Sequence, residues 1–91
     1  MLYWTDPMFR ILERIHEYNQ RNEPIWEDKL VQIIPGMEYI TVNRALDQLS
    51  DLHFISTYWE VVDGKWTNVL RISDSGLMML YTLENERIKR K

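Results

Sequence analysis

Apolar residues recur early in the chain at Met8, Ile11, Leu12, Ile15 and Tyr18, a spacing of three and four that draws one stripe along a helix. Arg10, Glu13, Arg14, Glu17 and Arg21 fall on the other side, where Glu13 and Glu17 have positive partners within helical reach. Thr5-Asp6-Pro7 supplies a start: a capping side chain, then a proline whose missing N–H needs no partner in a first turn. The pattern predicts helix one over 7–21, ended by a polar loop through residues 19–24.

Pro24-Ile25-Trp26 offers a very short strand. Trp26, Leu30, Val31, Ile33 and Ile34 then give the buried side of helix two, 26–34, which Pro35-Gly36 stops. Helix three, 38–52, has its apolar stripe at Val42, Ala45, Leu46, Leu49 and Leu52. Asn43, Arg44, Asp47, Gln48 and Asp51 turn away from that stripe, with Thr41 near the start. An apolar back with Thr, Asn, Arg and Gln in front suits a helix that reads base edges, and equally suits any solvated helix.

After Leu52 the period shortens. Residues 54–62 and 65–72 are rich in aromatic and β-branched side chains and flank Asp63-Gly64, which predicts a hairpin over 54–72. A two-residue turn sets Val62 opposite Lys65 and Val61 opposite Trp66. Ile55, Thr57, Trp59 and Val61 then share a face with Trp66, Asn68, Leu70 and Ile72. The base of that face can join a core, while Trp59, Val61 and Trp66 lie far out on the ribbon. Ser73-Asp74-Ser75-Gly76 offers caps for a last helix, 75–88, apolar around much of its circumference through Leu77, Leu80, Tyr81, Leu83 and Ile88.

The fold class this order predicts is α+β, mainly helical, in a single domain over 1–91. With 45% hydrophobic and 27% charged residues the composition is that of an ordinary globular domain. The absence of cysteine excludes disulfides, thiolate zinc sites and a cysteine nucleophile, and fits a reducing compartment. The longest apolar run, 77–81, is too short for a membrane span, and MLYWTDPMF lacks the basic-then-apolar order of a secretory signal, so a cytoplasmic protein is expected. The net charge of −3 runs against duplex binding, because phosphate neutralisation supplies most of such affinity. Charge is unevenly placed, however: residues 87–91, RIKRK, hold four positive charges.

The order of helices and ribbon resembles the winged helix-turn-helix family of DNA-binding domains. ITVNRALDQLSDLHFIS is similar to the recognition helix and its exit in MarR-type and PadR-type regulators, often TVSRALxxLxxxGLI. VLRISDSGLMML is similar to their second wing strand and following helix, often YRITDKGxxxL. YWTDPMFRILERIHE resembles the start of small archaeal repressors related to the phage phi-H repressor. The resemblance implies a three-helix core, a two-stranded wing and a C-terminal helix. It further implies a sequence-specific transcriptional regulator that binds double-stranded DNA, with helix three in the major groove; a small homodimer and no cofactor are expected. Residue by residue, it carries DNA contact to Thr41, Asn43, Arg44 and Gln48 on helix three, and to Lys65 and Thr67 on the wing. Two positions depart from the pattern. His53 stands where relatives have glycine, a place that takes left-handed backbone. Asp47, Asp51, Glu60 and Asp63 oppose Arg44 and Lys65 where relatives carry more Lys and Arg.

The apolar excess suggests a dimer interface through Trp4, Leu77, Leu80, Tyr81 and Ile88, the alternative being completion of a small core. Trp59 and Trp66 suggest a protein contact, which makes a winged-helix protein-interaction module without direct DNA binding the competing function. His16 with Glu13 and Glu17 is a poor metal set, and neither a metal site nor an enzyme is expected, since no nucleophile motif or phosphate loop is present.

Overall fold

The computed structural model describes residues 5–89, the side chains of 87–89 excepted. Its elements run α1 Asp6–Gln20, α2 Glu27–Ile33, α3 Tyr39–Asp51, β1 Ile55–Val62, β2 Lys65–Ile72 and α4 Asp74–Lys89. This is a small α+β winged helix: α1 to α3 form the core, β1 and β2 the wing, and α4 packs back on α1.

Thr5 caps α1 by accepting from the Met8 N–H at 3.4 Å, with the proline in the first turn. Met8, Phe9, Ile11, Leu12 and Ile15 are buried. They meet Leu30 and Ile34 around α2 and Val42, Ala45, Leu46 and Leu49 of α3 in one core. Tyr18 packs against it only partly, and Phe9, outside the expected stripe, joins it.

Two helices end in the same way. At α1 the Glu23 N–H donates to the Tyr18 carbonyl and the Asn22 N–H to that of Asn19, with Asn22 left-handed at φ 56°. At α3 the Phe54 N–H donates to the Leu49 carbonyl and the His53 N–H to that of Ser50, with His53 at φ 61°. Both are Schellman closures, which recover carbonyls the helix end leaves unpaired. Glycine meets this left-handed demand without strain, and His53 meets it under strain.

The wing turn has two residues, Asp63 and Gly64, at φ 51° and 79°. Two positive angles match the right-handed twist of the strands and fix the register, Val62 opposite Lys65 and Val61 opposite Trp66. Ile55 and Leu70 at the base enter the core. Val69, on the opposite face, is also buried, beside the α1–α2 loop at Asn22 and Pro24.

No third strand forms at 24–26. The segment keeps one ladder-like bond, the Leu70 N–H donating to the Ile25 carbonyl at 2.9 Å, and Pro24 has no N–H to extend it. A side chain contributes beside it: Asn19 donates to the Leu70 carbonyl at 3.2 Å and accepts from the Ile72 N–H at 2.8 Å. Its carboxamide pairs with β2 much as a strand residue would, and straps the wing to the end of α1.

Ser73 joins wing to α4. Its hydroxyl donates to the His53 carbonyl at 2.7 Å and accepts from the Gly76 N–H at 3.0 Å, while its own N–H donates to the Phe54 carbonyl at 2.9 Å. Gly76 is therefore more than a helix-start residue. A Cβ there would collide with the Phe54 carbonyl and press on Ile72.

Candidate nucleic-acid interface

Burying Val42, Ala45, Leu46 and Leu49 decides which way the rest of α3 points. Directly opposite, at steps of four, three and four, stand Ile40, Arg44, Asp47 and Asp51, all exposed. Thr41 and Gln48 flank this row on one side, Tyr39 and Asn43 on the other. The outermost row is thus polarised: apolar and basic in the N-terminal half, acidic in the C-terminal half. Ile40, 55% exposed, also stands on this face, which polar residue types alone do not reveal.

Arg44 makes no side-chain hydrogen bond or ion pair to another described residue, so its guanidinium is available. With Thr5, Pro7, Ile40, Thr41, Ala45 and Gln48 it borders a groove of about 410 Å³ between the start of α1 and α3. Thr41 is half-buried there and Gln48 is exposed.

Asn43 is held. Its Nδ2 donates to one Glu27 oxygen at 2.9 Å, and the Tyr39 hydroxyl donates to the other at 2.9 Å. One carboxylate at the start of α2 thereby clamps the start of α3. Glu27 and Asp28 also suit the positive end of the α2 dipole. Hydrogen bonding to Glu27, then to Asp28, pushes the Tyr39 phenol up from its ordinary value to about 12, so it stays protonated and donating. Neither Glu27 nor Tyr39 stood out in the sequence; a polar residue at a helix start gives no sign of reaching across to another helix.

On the wing, Lys65 is exposed beside the turn. Thr67 is half-buried and its hydroxyl donates to the Lys65 carbonyl at 3.2 Å, which stiffens the tip and leaves its lone pairs free to accept. Lys65 and Thr67 share a face with Glu60 and with Arg71, whose guanidinium lies 5.8 Å from the Tyr58 ring centre. Trp59 and Trp66, on the other face, are 67% and 72% exposed.

The expected dimer residues separate. Leu80 is fully buried in the chain's own core, where it packs with the α1 stripe, so it cannot serve as an interface residue. An apolar position on a helix reads alike for core and interface. Leu77 is half-buried, and Tyr81 is half-exposed with its ring edge-on to His16 at 6.1 Å. Met78, 71% exposed, also belongs to this outer surface, where an apolar residue type does not by itself tell surface from core. Trp4 and the Ile88 side chain lie outside the described residues. Among the described residues no three acidic or histidine groups gather as metal ligands, and no helix is long and apolar enough to cross a membrane.

No protein-family profile matches the sequence and no curated protein matches it. Solved structures do match it in fold. A PadR-family transcriptional regulator from Eggerthella lenta DSM 2243 superposes with a TM-score of 0.68 at 19% identity, over 87% of this chain and 69% of that one. The protein smu.1704 from Streptococcus mutans UA159 superposes at 0.69 with 18% identity, over 99% of this chain and 86% of that one. At such identities the likeness is one of fold, and that fold is the winged helix.

Proposed function

We propose that the chain is a transcriptional regulator that binds duplex DNA sequence-specifically as a small homodimer. The observation that carries this reading is the outward, unpaired Arg44 beside Ile40 on the N-terminal half of α3, on a fold shared with a protein described as a transcriptional regulator. Recognition helices of this architecture meet base edges through that half. Arg44 suits the O6 and N7 of guanine, Ile40 a thymine methyl, and Gln48 a further base edge. Thr41 takes a phosphate, as do Lys65 and Thr67 from the wing. Asn43 contacts DNA only after leaving Glu27. Exposed Met78 and Tyr81 on α4 support a second copy across the outer face of that helix.

Fluorescence anisotropy with random and selected duplexes at two salt concentrations tests the proposal. Salt-sensitive binding that weakens in Arg44→Ala is expected. Absence of such binding, or an Arg44→Ala protein that binds like the parent, overturns it.

A second reading, a winged-helix protein-interaction module, draws on the acidic Asp47–Asp51 half of α3 and the exposed Trp59 and Trp66. A co-purifying protein lost on Trp66→Ala, with no duplex binding by the parent, is the result it requires.

A further inference from the structure

Between the start of α2 and the outer wing lies an open cleft of about 670 Å³. Its volume falls within the range of about 300–1,000 Å³ usual for small-ligand pockets. Trp26 lines it from the helix side, and Trp59 and Trp66 from the ribbon. Three of the four tryptophans of the chain thus converge on one concavity. Exposed indole surface is costly in water, and Trp59 and Trp66 bury little of theirs within the chain.

The charges around the indoles select the occupant. Glu27, Asp28 and Asp63 line the same cleft, against the single ammonium of Lys65. Indole faces attract cations through the ring quadrupole and carboxylates add a longer-range field, so both features favour the same ligand sign. The Lys29 ammonium, three residues on, lies 5.0 Å from the Trp26 ring centre and 5.5 Å from that of Tyr18, outside the cleft lining, so a ligand cation relies chiefly on Trp59 and Trp66.

From this convergence we infer that the cleft is a binding site for a small organic cation, of the aromatic quaternary ammonium class. A phosphate or carboxylate ligand is disfavoured, since three carboxylates line the cleft against one ammonium. A neutral apolar ligand would leave their field unused. A folded protein partner needs a broad contact surface, of about 800 Å² on each side, and a lysine-rich peptide is the competing occupant, which the titration separates. Glu27 gives the site a connection to the rest of the molecule. It lines the cleft and also holds Tyr39 and Asn43, so a cation drawn to it competes with α3 for one carboxylate.

Cation binding requires no DNA, so the test reads the cleft independently of any duplex affinity. Hydroxyphenyl-trimethylammonium and its neutral isostere tert-butylphenol are titrated into the full chain, followed by the indole N–H and Asn side-chain NMR signals. The cation is expected to shift the Trp26, Trp59 and Trp66 indole signals together with the Asn43 carboxamide, saturably, with the isostere at least tenfold weaker. Trp66→Leu and Trp59→Leu alter exposed wing positions that the fold does not require, and circular dichroism verifies that each remains folded. Each is expected to weaken the cation at least tenfold, and Asp28→Asn severalfold without effect on the isostere. Equal binding of the isostere, or cation affinity unchanged in both tryptophan variants, overturns the site. A lysine-rich peptide that binds far more tightly than the cation and displaces it moves the cleft to a polypeptide partner and overturns it equally.

Discussion

Glu27 holds Asn43 by a 2.9 Å hydrogen bond from the Asn43 carboxamide to its carboxylate, across the gap between α2 and α3. Because Tyr39 donates to the other oxygen of the same group, the start of the candidate reading helix is tied to a negative charge. On the proposed reading, that charge stands beside the face that meets phosphates. Glu27→Ala removes both the tie and the charge, and a severalfold rise in duplex affinity is expected, larger at low salt, measured by anisotropy.

The same pair fixes a pH dependence. The Tyr39 phenol is raised to about 12 in the folded chain, first by its bond to Glu27. A folded-state value above the unfolded one of about 10 favours the protonated form in the native state. Its contribution to stability is therefore complete below pH 10 or so and is lost as pH climbs through about 12. Carbon NMR of the Tyr39 ring is expected to show a midpoint near 12 in the parent and a lower one in Glu27→Ala.

The polarised row on α3 separates specificity from repulsion. Arg44→Ala is expected to cost about 1–3 kcal/mol of duplex affinity and to relax preference at one base pair, as loss of a base-edge contact does. Asp47→Asn and Asp51→Asn are expected to act oppositely, strengthening binding to all sequences alike. Anisotropy with a selected and a scrambled duplex distinguishes the two effects.

Left-handed backbone at His53 is a correctable strain. His53→Gly keeps both closing bonds of α3 and is expected to stabilise the chain by about 1 kcal/mol. Gly76→Ala is expected to destabilise it by about 1–3 kcal/mol, because the added methyl meets a backbone carbonyl that cannot move aside. Thermal denaturation of the two variants reads both signs.

Asn19→Ala leaves the Leu70 carbonyl and Ile72 N–H without their partner at a part-buried position. A loss of about 1–3 kcal/mol is expected. Faster hydrogen exchange at Ile72, with little change inside α3, locates the damage at the base of the wing.

What the sequence discloses tracks how local each cause is. Asp63-Gly64 dictated the turn and with it the whole register, since two positive φ angles depend on two adjacent residues. The α3 stripe likewise showed which side is buried. Asn19 and Glu27 were illegible, because their partners stand 51 and 53 positions away in one case and on a separate helix in the other. Leu80 was misplaced for a related reason: apolar all round, α4 does not announce which side the core takes. Of the proposed DNA contacts, Arg44 and Gln48 lie open on the surface, Asn43 is engaged, and Thr41 and Thr67 are half-covered. Residue type alone does not separate them.

The Asn19 strap has a mechanical consequence. Through it β2 takes its bearing from α1, and α1 also packs against α3 and α4. Ribbon and third helix are therefore both aligned to a single rod. Tilting that rod, for instance by rearranging whatever packs on the outer surface of α4, swings them as one body, so their mutual spacing is kept while their aim changes.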